Sequence, residues 1–208
     1  MREVILLAVV LPLAIATHLL GYALTGSLLG FRVKSFNLFY GKALHTFPLR
    51  EFPIRLGWIP TGGSVEFDES FSSARFFPKM MVSFAGPLAL ILMSAACLRY
   101  DRAGAALFSG FAQLFQGALF PLSTGRTLVA DYFRHHGGSV PEAYGVLAAK
   151  LAAFNLLPIP PLNGGQIILA SIPADSRWFF RSSIIGFLLA FAMSLSWLVA
   201  LGAYFLGV

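Results

Sequence analysis

Residues 4–31 read VILLAVVLPLAIATHLLGYALTGSLLGF, without a single Asp, Glu, Lys or Arg. A helix needs roughly 20 mainly apolar residues to cross a hydrocarbon core of about 30 Å, so this stretch is long enough to span a bilayer. Four further uncharged runs follow: Met80–Leu98, Ala103–Gly125, Leu151–Ala174 and Ser182–Val208. Of the 208 residues 57% are hydrophobic and 12% charged, about half the charged share of an ordinary soluble domain. Lipid solvates the outer faces of apolar helices, so a membrane chain does not need that polar surface. The expectation is a mainly α membrane protein forming one domain over residues 1–208, with about five transmembrane segments. The third segment carries the weakest pattern.

Arg2, the apolar stretch from Val4 to Leu13 and the triplet Ala14-Ile15-Ala16 imitate a secretory signal with its small-residue cleavage site. The apolar pattern runs on to Phe31, long for a cleaved signal and right for a span. Cys97 is the only cysteine, which excludes an internal disulfide and a thiolate metal cluster. The net charge of +6 reflects orientation and contact with anionic membrane lipid, not nucleic acid. With five spans, Arg32, Lys34, Lys42, Arg50, Arg55, Arg75, Lys79, Arg126 and Arg134 fall on one side. Arg2, Arg99, Arg102, Arg177 and Arg181 fall on the other. The positive-inside rule then puts the N-terminus outside and the C-terminus in the cytoplasm.

The segment from about 32 to 77 is not helical. Phe31 to Tyr40 alternates polar and apolar residues before Gly41; Phe52 to Pro60 is again strand-like, then come Gly62-Gly63 and Ser64-Val65-Glu66-Phe67. Aromatic and β-branched runs punctuated by Gly and Pro predict a small antiparallel, membrane-associated sheet of three or four short strands. Gly26 and Gly30 form a GxxxG, a spacing that permits close helix approach. No internal repeat or low-complexity tract is present.

Four patches, in order, carry a resemblance. The first is Thr17-His18-Leu19-Leu20-Gly21-Tyr22, followed by Phe31-Arg32-Val33 and Phe39-Tyr40-Gly41. The second is Ile59-Pro60-Thr61-Gly62-Gly63-Ser64-Val65. The third is Phe84-Ala85-Gly86-Pro87-Leu88-Ala89. The last and most specific runs Asn155-Leu156-Leu157-Pro158-Ile159-Pro160-Pro161-Leu162-Asn163-Gly164-Gly165. Together they resemble the site-2 protease family of intramembrane zinc metalloproteases. In that family a helical His-Glu-x-x-His presents two imidazoles on one face to a zinc ion, with the Glu as general base. An Asp in a Leu-Asp-Gly of the fourth patch completes the ligand set.

Here the matching positions read His18, Leu19, Tyr22 and Asn163. Leu19 cannot take a proton from water, Tyr22 is a poor ligand at neutral pH because a phenol titrates near 10, and Asn163 lacks the negative charge of Asp. The resemblance therefore implies a degenerate member: no catalytic residue, no metal and no cofactor, with His18 a buried polar residue hydrogen-bonded to Tyr22 or Asn163. His45, in the sheet, and His135-His136, in a Gly-flanked loop, do not rebuild a zinc site, whose geometry is demanding.

Pro158, Pro160 and Pro161 cannot continue a regular helix, so the backbone unwinds there. In the active family this segment and the Gly-Gly turn line the cleft that holds an unwound substrate helix as a strand. Strand addition uses main-chain hydrogen bonds and needs no catalytic centre. Gly62, Gly63, Asn155, Pro158 and Pro160 are thus expected to bind a partner, a membrane-spanning protein or larger membrane complex. Lys150, near the start of the fourth run, is expected to snorkel to the interface. The functional expectation is a pseudoprotease that binds or regulates a membrane partner. The alternatives are an active protease with an altered, zinc-holding site and a structural subunit of a larger membrane complex. Compactness and family resemblance suggest a bacterial inner membrane.

Overall fold

The computed structural model describes residues 1–48, 52–173 and 176–207; Arg50, Ala174 and Val208, used above, lie outside them. Helix α1 (Arg2–Leu28) leads into strands β1 (Val33–Pro48) and β2 (Pro53–Phe67) and a single helical turn α2 (Glu69–Ser72). There follow α3 (Phe76–Leu98), α4 (Tyr100–Leu119), a π-helical turn at Pro121–Gly125, α5 (Arg126–His136), α6 (Val140–Asn155), the short α7 (Asn163–Leu169) and α8 (Arg177–Leu206). The protein is a mainly helical membrane protein with a small antiparallel sheet after its first helix.

Among the described residues three helices, α1, α3 and α8, are long and apolar enough to cross a membrane. The other two expected spans fold differently. The run Ala103–Gly125 forms α4 and the π turn, where Pro121, lacking a backbone N–H, ends the α-helical ladder. The run from Leu151 breaks at Asn155, because Pro158, Pro160 and Pro161 forbid continuation, and resumes only as α7. α6 nonetheless sits at the centre of the bundle, packing on α1, α3 and α4. Its inward face is almost all small: Ala143, Gly145, Ala148, Ala149, Ala152 and Ala153 are buried. Membrane helices associate through close van der Waals approach, not hydrophobic exclusion, so small residues mark the central element. Tyr144 and Thr17 add a hydroxyl–hydroxyl bond of 2.7 Å between α6 and α1.

The sheet consists of two long, bulged strands that between them supply the short segments expected. Phe36, Asn37 and Leu38 of β1 have partners on both sides: Val65, Ser64 and Gly63 on one, Ile54, Arg55 and Leu56 on the other. Each strand therefore doubles back on itself, and Gly41, with φ +87°, makes the bend in β1. The sheet is pinned to α1 through a cluster of Ile15, Leu19, Ala23, Val33 and Phe36. Gly26 belongs to this junction and not to a helix–helix motif: a Cβ there would run into the Phe67 ring. Gly30 lies beyond the helix in a positive-φ turn with open space around it.

The helix ends sort into two groups. Arg2 donates to the Gly138 carbonyl at 3.4 Å, Arg102 at the start of α4 pairs with Glu142 at the start of α6, and His136 Nδ1 lies 3.5 Å from Glu142. Near the end of α8, Tyr204 stacks on Phe133, their ring centroids 5.3 Å apart, and Phe133 lines the same recess as Met1, Arg2 and Glu3. The two ends of the chain thus share one end of the bundle. The reason lies in the third run. α4 and α5 form a hairpin that leaves and returns to the same end, so it reverses the sidedness of everything after it. Arg134 joins Arg2, Arg99 and Arg102, while Arg177 and Arg181 lie toward the sheet end, where Gly186 of α8 presses on Pro160.

Candidate functional site

α1 lies so close to α3 that a Cβ at Gly21 would stand 2.6 Å from the Ala85 carbonyl oxygen. One turn earlier, the imidazole of His18 occupies the space over Gly86; a Cβ there would come within 2.7 Å of Nδ1. The glycine of the Phe84-Ala85-Gly86-Pro87 patch therefore makes the seat for this ring. Tyr22 follows on the same face of α1, its ring centroid 6.2 Å from that of His18. From far along the chain, α7 delivers Asn163 as its first residue, buried against α3.

All three side chains are brought to the same stretch of α3, but not in the expected bonds. Asn163 Nδ2 donates to the Ser83 backbone carbonyl at 2.7 Å, and the Tyr22 hydroxyl lies 3.5 Å from Ser83 Oγ. His18 bonds to neither: its buried Nδ1 has no hydrogen-bond partner among the described residues. Ser83 is the residue that sequence reading missed. Its only local signal is a lone hydroxyl one position before the Phe84 patch, and nothing in that pattern shows that two other elements converge on it.

Leu19 faces away from this cluster. It is buried among the sheet residues, with Cδ1 2.6 Å from where a Cβ on Gly63 would stand. The position that would hold a general base is thus part of the joint between α1 and the sheet. Gly63 also lies against the Asn37 carbonyl, and Gly62 lies beneath the Tyr40 ring, whose hydroxyl donates to Gly63 O at 3.0 Å. The Gly-Gly turn reaches the site through Leu19.

The proline segment reaches it through Asn163. Asn155 ends α6 by donating from Nδ2 to the Leu151 carbonyl of its own helix at 2.8 Å. Gly164 presses on the Leu156 and Leu157 carbonyls, and Pro160 is held against Gly186 of α8, while Pro158 stays exposed. Of the five expected binding residues, Asn155 and Pro160 have internal partners and Pro158 faces outward.

The remaining candidates lie elsewhere. His45 pairs with Leu56 in the exposed part of the sheet, its ring 4.4 Å from Phe47. His135 and His136 end α5 and do not sit in a loop; His135 Nδ1 bonds the Asp131 carbonyl at 2.9 Å. Lys150 does not snorkel. Its ammonium donates to Gln113 Oε1 between α6 and α4.

Among the described residues no group of three or more His, Cys, Asp or Glu side chains is placed to hold a metal ion. What converges is one imidazole, one phenol and one amide whose nitrogen already donates to Ser83. Zinc centres are built from imidazole, thiolate and carboxylate, with three protein ligands and a water in catalytic sites. The residues present do not fit that centre. A family model described as Peptidase family M50 matches residues 6–196. No curated protein matches the chain.

Proposed function

The chain belongs to peptidase family M50, the site-2 protease family to which the motifs pointed, and we propose that it is a proteolytically inactive member that holds a membrane-spanning protein in what remains of the substrate cleft. One observation carries the reading: at the family's metal-binding positions the helix offers a single imidazole, and the amide at the third position is turned to the Ser83 carbonyl. A neutral amide, a phenol and one histidine supply too little negative charge to hold a dication or acidify its water. The scaffold around them is kept. Gly63 still packs on Leu19 of α1, and the Pro158–Pro161 segment is still unwound, with Pro158 open. A partner strand recruited by main-chain hydrogen bonds needs no more than this.

The same reading places the protein in a bacterial inner membrane. Arg32, Lys34, Lys42, Arg55, Arg75, Lys79, Arg177 and Arg181 gather toward the sheet end, against Arg2, Arg99, Arg102 and Arg134 at the other. The sheet end then faces the cytoplasm and both termini face outside.

Two measurements test the proposal. Metal analysis of protein purified without chelator is expected to find well under one zinc per chain, unchanged by His18→Ala; stoichiometric zinc lost in that variant would establish an active centre instead. Isolation from the native membrane in mild detergent is expected to recover a membrane-spanning partner, depleted by Pro158→Arg. Recovery of the protein with no membrane partner would overturn the binding role.

A further inference from the structure

Lys150 is a charge set within the helical bundle. α6 packs against α1 and α3, two helices long enough to cross a membrane, and the Arg102–Glu142 pair marks its charged end. Lys150 stands eight residues beyond Glu142, about 12 Å along a helix that rises about 1.5 Å per residue. That depth is near the middle of a hydrocarbon core about 30 Å thick. Gly110 of α4 holds the backbone there: a Cβ on that glycine would stand 3.1 Å from the Ala153 Cβ and 3.5 Å from the Lys150 Cα.

The group that meets the ammonium is neutral. Gln113 Oε1 accepts from it, and none of the ion pairs among the described residues includes Lys150. An ammonium carries three donors and a full positive charge, so one amide carbonyl answers one donor and leaves the charge unbalanced. Ionisable groups at such depth pair with one another or with backbone carbonyls, and they mark functional contacts. Lys150 and Gln113 are half-buried and not sealed off, which leaves the pair open to a group arriving beside α4.

The pattern of α4 shows what kind of group. Arg102, Ala106, Ser109, Gln113 and Gln116 recur at spacings of four and three, forming one seam along the helix. Ser109 and Gln116 are exposed. The large apolar residues Phe108, Phe115 and Leu119 are exposed on a different face, suited to lipid. Small and polar side chains are what membrane helices use to approach one another and to hydrogen-bond.

We propose that this seam docks a transmembrane helix of another protein, carrying one Asp or Glu at the level of Lys150. Charge selects that occupant, because the cation in the bundle lacks an anion. A second copy of the chain does not supply one: its five apolar runs contain no Asp or Glu. The seam is formed by α4 and α6, whereas the cleft proposed above is formed by α1, the sheet and the segment after α6, so the inference stands without that reading.

The test uses the purified full chain in vesicles of neutral phosphatidylcholine, which offer no anionic headgroup. The probe is a fluorescent Leu/Ala helix of about 20 residues with Glu at its centre, compared by energy transfer with the same peptide carrying Gln. The unmodified protein is expected to bind the Glu peptide about tenfold more tightly than the Gln peptide. Lys150→Met is expected to abolish that preference, and Lys150→Glu to transfer it to a peptide with a central Lys. Ser109→Phe, at an exposed position on the seam, is expected to weaken binding of the Glu peptide with Lys150 intact and thermal unfolding unchanged; it keeps the test decisive should the Lys150 variants fold poorly. Equal binding of the Glu and Gln peptides to the unmodified protein would overturn the proposal. So would a Glu preference that persists in Lys150→Met or is untouched by Ser109→Phe.

Discussion

Ser83 meets both the Asn163 amide, which donates to its carbonyl, and the Tyr22 hydroxyl, and that pairing defines what a single substitution does at this site. Restoring the family's carboxylate by Asn163→Asp removes the donor to the Ser83 carbonyl and sets two acceptors against each other in a buried place. Loss of such a bond with its partner left unsatisfied costs about 1–3 kcal/mol. The variant is expected to unfold at lower temperature in detergent and to acquire no zinc, because Leu19 and Tyr22 still supply neither base nor second imidazole. A gain of stoichiometric zinc from this one change would contradict the account of the site. His18 was recognisable from the sequence by its place in a motif. Its unpartnered Nδ1 was not, since hydrogen bonding there depends on how α3 presents Gly86 and Ser83, which the spacing on α1 does not contain.

At the scale of elements, the joint between α3 and α4 is unusually abrupt. Arg99 alone separates the two helices, with φ +69° and ψ 157°, a region populated almost solely by glycine and costing other residues about 1–3 kcal/mol. Arg99→Gly is expected to raise the unfolding free energy by about 1 kcal/mol, read from thermal or denaturant unfolding in detergent. A loss of stability would mean that the guanidinium contributes more than its backbone costs. The breaks at Pro121 and Pro158 were readable in advance, because proline ends a helical ladder wherever it falls. The hairpin formed by α4 and α5 was not, because an uncharged run of suitable length fits a single crossing and a returning pair equally well.

For the whole molecule, that hairpin decides where the chain ends. Tyr204 stacks on Phe133 beside Met1 and Glu3, so reporters fused to the two termini are expected to give the same sidedness, outside the membrane. Accessibility of Lys42 or Arg55 replaced by cysteine, in a Cys97→Ala background, should report the opposite side. Termini scored on opposite sides would contradict the packing. α8 completes the outer surface with exposed Ile184, Ile185, Phe187, Leu188, Phe191 and Leu195, a face suited to lipid and to neighbouring helices alike.

The membrane class, the helical character, the sheet after α1, the four motif patches and the missing ligands all follow from residue identity and order. Hydropathy, proline geometry and side-chain chemistry are local properties, carried by each stretch wherever it lies in space. Tertiary packing alone determined that Ser83 joins α1 to α7, that Gly26 seats Phe67, that Lys150 meets Gln113 and that both termini share an end. Those outcomes depend on which helix faces which across distances in the chain that no local period records, and in this bundle the choice is made by small side chains that let backbones approach.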